Sequence, residues 1–291
     1  MKPEMPSYSA EVVASYRAVE SLKPEAQRVC YDPLAIHFLR NSFKLVCKLG
    51  PFVQPVFWWL AEKNFTADVA QGIGRTRYID EYVLQCMNQG IRQMVLLGAG
   101  YDSRAYRFDD IKKSVMVFEV DHPATQKAKQ KKLCKLFGSL PAHVTYVPVD
   151  FEKESFAEKL LAGGFDKSLK TLFIWEGVTY FLSEESVDAT LAFVRENSAE
   201  GSSIIFDYTF SSVVDGTYDC EEAKREREVL ASLGEPLTFG IEEGAVKNFL
   251  INRGFKEVTE VEPESLTRRF FEAVNQNRKY PSFFPLVHAS I

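Results

Sequence analysis

Five continuous apolar runs, each followed by a stretch of helical spacing, constrain this chain more than any other feature. They are 93–97, 115–120, 144–149, 171–175 and 203–208. A strand that is apolar without alternation is buried on both faces, as the strands of parallel sheets are. Between the runs lie Pro123 to Phe137, Phe156 to Leu161 and a segment to about Glu196 for which Ser183 offers an N-cap. Strict strand–helix alternation predicts an α/β fold, a doubly wound sheet with helices on both faces. Phe255 to Val261 and Phe283 to Ala289 supply two more strands, which makes a mostly parallel sheet of seven.

The flanks read differently. From Ala10 to about Glu62 the spacing is helical, punctuated by Pro24, Pro33, Pro51 and Pro55, with no strand-like alternation. Residues 1–70 are therefore expected to form a helical cap of several short helices, and 71–291 the α/β domain. A longer helix is predicted from about Gln71 to Asn88, closed by Gly90, with Ile73, Tyr78, Ile79, Tyr82, Val83 and Met87 inward. The polar stretch Tyr218 to Leu233 predicts a helical insertion near 211–240, and Glu242 to Asn252 a further helix.

Composition narrows the partners. Hydrophobic residues at 46% and charged residues at 26% describe a globular protein, and a net charge of −5 argues against a nucleic-acid binder. The one basic run, Lys127, Lys129, Lys131, Lys132 and Lys135, reads as a solvated helix face, with Leu133, Leu136 and Phe137 as the helix's apolar positions. The five cysteines are scattered, odd in number and without a C-x-x-C pair, so a reducing compartment and no metal site are expected. No apolar run follows the start, and Leu45 to Leu60 is broken by Lys48, Gly50, Pro51 and Pro55. Neither a secretory signal nor a membrane span is predicted, and the expected location is cytoplasmic.

Ligands of open α/β sheets bind at the carboxyl ends of the strands, where strand order reverses. The first strand ends in Gly98-Ala99-Gly100, and glycines there let the backbone turn sharply and approach a ligand. A dinucleotide fingerprint would place a third glycine where Ser103 stands. The second strand ends Glu119-Val120-Asp121, which puts a carboxylate at the ribose-binding position. Alternation gives that role to one of the two, and Asp121 is at the very tip. Asp150, with Phe151 as an aromatic wall, ends the third strand as an acceptor for an adenine amino group, and Glu176 ends the fourth. Any one of these could be a helix cap. Together they predict an acidic cleft suited to a cationic cofactor.

Several segments together carry a family resemblance: Arg75-Thr76-Arg77, Leu97 to Arg107, Phe118 to Pro123, and Trp175-Glu176-Gly177-Val178-Thr179-Tyr180-Phe181-Leu182. With Arg17 to Ser21 and Tyr31 to Ala35 they resemble the leucine carboxyl methyltransferase-like, or polyketide O-methyltransferase-like, class I methyltransferases. The resemblance covers nearly the whole chain. It implies S-adenosyl-L-methionine as cofactor, with Arg75 on its methionine carboxylate and Arg77 as second candidate. It further implies Gly98 and Gly100 at close backbone approach, Asp121 on the ribose, Asp150 and Phe151 about the adenine, and Glu176 facing the amino group. Where the family has a tyrosine late in the glutamate motif, this chain has Tyr180-Phe181 in altered order.

For substrate contacts, Tyr180, Phe57 and Trp58 are candidates, with Phe52 and Trp59 beside them; the cap aromatics serve equally well as core. No catalytic base is evident: His122 follows the ribose carboxylate and points at the next helix. An ionised carboxylate acceptor needs no base, whereas a hydroxyl would benefit from one. The expected activity is O-methylation of a small-molecule, secondary-metabolite acceptor; methylation of a protein's C-terminal leucine carboxylate is the alternative. A nicotinamide dehydrogenase lacks its third glycine, no G-x-S-x-G or Walker loop exists, and a non-catalytic binding module on this fold is the remaining rival.

Overall fold

The computed structural model describes residues 6–41, 43–44, 54–150, 154–274 and 276–291, with the backbone alone for 54–68. Seven strands form one sheet: β1 Gln93–Leu97, β2 Met116–Asp121, β3 Val144–Pro148, β4 Thr171–Trp175, β5 Ser203–Asp207, β6 Lys256–Val261 and β7 Leu286–Ser290. Their order is β3-β2-β1-β4-β5-β7-β6. The first five are parallel, and β7 lies antiparallel between β5 and β6. The chain leaves β1 toward β2 and returns to its other side at β4, so the switch point falls between β1 and β4.

The pleat divides the core into two layers. Met94, Leu96, Ile174 and Ile205 face one side, where they share a core with Ala14, Tyr16, Ile73 and Val83 of the helices before β1. Val95, Leu97, Phe173, Trp175 and Phe206 face the other, against Leu160, Val187 and Leu191. Each such side chain contributes about 1.5–3 kcal/mol by leaving water.

Helix α1 (Tyr8–Ser21) starts at Ser7, whose side chain accepts from Ala10 N–H. Helix α2 runs unbroken from Gln54 to Asn88, beginning well before the expected Gln71. The physical reason is Pro55: read as a breaker, it sits in the first turn, where the missing N–H costs nothing. Gly90 ends the segment at φ +83°.

Other boundaries shift for local reasons. β7 starts at Leu286 rather than Phe283 because Pro285 cannot donate to a ladder. The helix expected from Glu242 starts at Val246, after Gly244 turns at φ +76°. Within 211–240 the chain forms two helices, Ser211–Asp215 and Glu221–Ser232. The basic face of the helix Pro123–Phe137 needs correction: Lys127, Lys131 and Lys135 are exposed, but Lys129 is buried. It reaches inward to the Glu119 carboxylate at 2.9 Å, while Phe137 is exposed instead. Among the described residues no helix is long and apolar enough to cross a membrane, and no His, Cys, Asp and Glu side chains gather as metal ligands.

Candidate functional site

At the carboxyl end of β1 the chain turns through Gly98 at φ +71° and Gly100 at φ +41°, conformations that a side chain resists. Gly98 and Ala99 donate their N–H groups to Val120 O at 2.9 and 3.0 Å, drawing the turn onto β2. Gly100 N–H donates to Asp121 Oδ2 at 2.7 Å, and His122 N–H to Oδ1 at 2.7 Å. A β-carbon on Gly98 would overlap Val178, so the loop after β4 closes directly over this turn. Burial pushes the Asp121 carboxyl above its ordinary range, against the pull of the His122 N–H.

The two acidic residues of β2 separate cleanly. Glu119 is wholly buried and accepts from Lys129 Nζ and, at 2.6 Å, from the Tyr106 hydroxyl. Asp121 stands at the tip. His122 caps the following helix, its Nδ1 accepting from Ala124 N–H at 3.3 Å, and so faces that helix.

Across the switch point stands a buried arginine–carboxylate cluster. Arg75 of α2 donates from Nε to Glu176 Oε1 at 3.0 Å, and from Nη1 to Asp207 Oδ2 and to the Tyr180 hydroxyl. Arg104 donates from Nη1 to Glu176 Oε2 at 2.6 Å and to Asp102 Oδ2 at 2.5 Å. Its Nε donates to Asp80 Oδ1 at 2.7 Å. Gly177 N–H donates to Asp207 Oδ1 at 2.7 Å, which fixes the β4 loop to β5. Gly177 has φ +74°, and a β-carbon there would lie 3.2 Å from Arg75 Nη2. That Nη2 donates to no described residue, so it keeps hydrogen-bonding capacity beside bare backbone.

Charge sets the protonation of this cluster. Burial alone would raise the Glu176 carboxyl, yet Arg104 and Arg75 hold it at about 2. Burial dominates at Asp207 and raises it despite Arg75. Asp207 and Glu176 in turn push the Arg75 guanidinium well above its ordinary value, although burial opposes them. Burial raises the Tyr180 hydroxyl, which stays neutral.

Helix α1 is tied to the same place. Arg17 of α1 donates to Asp32 Oδ2 at 3.0 Å and to the carbonyl of Tyr101 at 2.6 Å, one residue beyond the glycine turn. A β-carbon on Gly100 would come 3.2 Å from Ala10 Cβ, so α1 lies against that turn.

The structure thus gathers Arg75, Gly98, Gly100, Asp121, Glu176 and Tyr180 at one edge. Asp150 follows β3, half-buried, its N–H donating to Glu154 Oε2 at 3.1 Å. Phe151, Phe52 and the side chains of Phe57, Trp58 and Trp59 lie outside the described residues. Arg77 is not in the cluster; it is half-exposed and pairs with Glu81 at 2.8 Å. Of the three carboxylates expected to line an acidic cleft, Glu176 is held by two arginines, Arg75 and Arg104.

Sequence reasoning missed Arg104, Asp80 and Asp207. Arg104 belongs to a stretch already singled out, and Asp207 ends β5 as Glu176 follows β4, so the strand-tip rule reaches both. A separate groove of about 500 Å³, lined in part by Glu184, Phe239, Asn248 and Arg253, includes none of the strand-tip residues.

Residues 10–195 match the model of the leucine carboxyl methyltransferase family. A Bacillus subtilis protein named "Putative S-adenosyl-L-methionine-dependent methyltransferase YktD" is 29% identical over 217 residues, covering 75% of this chain and 71% of that one. A Mycobacterium avium protein bearing the same description without the final name is 31% identical over 257 residues, covering 85% and 82%. Among solved structures, a DUF574 family protein of Streptomyces avermitilis superposes with a TM-score of 0.59 at 13% identity, covering 99% of this chain and 98% of its own. At that identity the likeness is one of fold.

Proposed function

The chain belongs to the leucine carboxyl methyltransferase family, a family of S-adenosyl-L-methionine-dependent methyltransferases, and from that premise we propose that it methylates an oxygen of a small-molecule acceptor. The observation that carries the reading is the glycine turn at the switch point, joined to Asp121 through Gly100 N–H and faced by the Arg75–Glu176 pair.

The residues present suit the cofactor. Asp121 would hold the ribose hydroxyls, since its two N–H partners still leave acceptor capacity on both oxygens. Gly98 and Gly100 would bring bare backbone to the methionine chain. Arg75 Nη2 would take the methionine carboxylate, and Glu176, held ionised, would attract the amino group. Asp150 and Phe151 would flank the adenine.

The cofactor supplies an electrophilic methyl group on a positively charged sulfur. The protein's part is positioning, which is the main demand of an in-line displacement. Arg104 fixes Glu176, and Asp207 fixes both Arg75 and the Gly177 backbone, so the polar groups are aimed before anything binds. Tyr180 donates to Asp207 and stays neutral, and it is a substrate-contact candidate together with Phe57 and Trp58. No described histidine joins the cluster: His122 is a helix cap, and His143 bonds the carbonyl of Ala105. An acceptor that arrives ionised, a carboxylate, fits a site without such a base.

The family's own description favours a second reading, the C-terminal carboxylate of a partner protein. The free cysteines Cys30, Cys86, Cys134 and Cys220 suit a cytoplasmic setting. Incubation with methyl-tritiated S-adenosylmethionine and a cell extract, fractionated by size, tests the acceptor. Base-labile counts in the small-molecule fraction are expected; counts confined to protein overturn the small-molecule assignment.

A further inference from the structure

Tyr280 is 4% exposed, and its hydroxyl has no hydrogen-bond partner. A buried, unsatisfied hydroxyl costs stability, so its retention calls for a reason. Its surroundings sharpen the point. Phe270, Phe271, Phe283 and Phe284 are all buried nearby in sequence, so phenylalanine does the packing in this part of the chain. Tyr280 instead stands beside the glycine that precedes Arg75. Its ring packs so closely on α2 that a β-carbon on Gly74 would lie 2.9 Å from Tyr280 Cδ2, one residue from Arg75. Thr267 Oγ1 accepts from Tyr280 N–H at 3.0 Å and anchors the backbone. Arg75, Asp207, Tyr180 and Glu176 all act electrostatically on the phenol, and burial keeps it protonated and hence a donor.

We propose that the Tyr280 hydroxyl is a cofactor-binding donor which, with Nη2 of Arg75, receives the carboxylate at the methionine end of S-adenosylmethionine. This rests on the cofactor assignment made above and adds a residue from the segment before β7. Two donors, one charged and one neutral, suit the two oxygens of a carboxylate. The hydroxyl gains its partner only when the site is filled, so its cost in the free protein becomes affinity in the complex.

Calorimetry with two probes tests this. S-adenosylhomocysteine carries the carboxylate, whereas 5′-methylthioadenosine lacks the whole amino-acid end. For Tyr280→Phe, affinity for S-adenosylhomocysteine should fall roughly tenfold or more, as for other hydrogen bonds to charged groups. Affinity for 5′-methylthioadenosine should stay as in the unmodified protein. Thermal unfolding of the free variant should occur at the same or a higher temperature, because an unsatisfied group is gone. Unchanged S-adenosylhomocysteine binding, equal loss for both probes, or a lower unfolding temperature would each overturn the proposal. If the unmodified protein bound neither probe, the cofactor assignment itself would fall, which is a distinct result.

Discussion

Replacing Glu176 by glutamine removes one charge from the site while keeping its shape, and the structure sets the size of the effect. The carboxyl titrates at about 2 in the folded chain against an ordinary 4.5, burial being outweighed by Arg104 and Arg75. Because the folded value is depressed, the stabilisation is fully present above pH 4.5 and is lost as pH falls through about 2. At about 1.4 kcal/mol per tenfold change in proton affinity, it amounts to about 3 kcal/mol at pH 7. By pH 3 more than half of it should be lost. The assay is urea unfolding of both proteins at a series of pH values, at constant ionic strength. Glu176→Gln should be less stable at pH 7, and the gap should close by roughly 2 kcal/mol on going to pH 3. A gap that stays constant with pH would show that the arginines do not hold an ionised Glu176, and the electrostatic account of the cluster would fail.

Asp121→Asn should weaken S-adenosylmethionine binding tenfold or more by calorimetry. Since burial raises the Asp121 carboxyl, its charge costs stability above pH 3.8, so the variant should gain on the unmodified protein as pH rises; unchanged affinity would remove Asp121 from the site. Gly98→Ala forces a side chain to φ +71° against Val178 and should cost roughly 1–3 kcal/mol in chemical denaturation. An unchanged midpoint would show that the turn can relax. Arg17→Met breaks the buried pair with Asp32 and frees the Tyr101 carbonyl. A loss of about 3–5 kcal/mol is expected, with faster proteolysis near α1; equal cleavage rates would refute the tie between α1 and the turn.

Much of the fold could be read before any coordinates because the apolar runs are continuous and end in turn residues. β1 and β4 need nothing beyond their own five residues to be recognised. Asp121 and Glu176 followed from the rule that ligands gather at strand ends. That rule, carried one strand further, reaches Asp207. What resisted reading depends on context that no local window contains. Pro55 signals a break or a start with equal force, and only the chain before it decides. Lys129 looked like one more surface lysine until β2 placed Glu119 beneath it. Tyr280 meets Gly74, the residue before Arg75, through packing between segments about two hundred residues apart, and a lone tyrosine in a polar stretch carries no sign of that.

The central claim is that the edge formed by the glycine turn, Asp121 and the Arg75–Glu176 pair holds S-adenosylmethionine. Titrating S-adenosylmethionine into the purified protein in a calorimeter tests it most directly. One site per chain is predicted, with heat that Asp121→Asn and Arg75→Gln each sharply reduce. No heat from the unmodified protein, or full affinity in both variants, would contradict it.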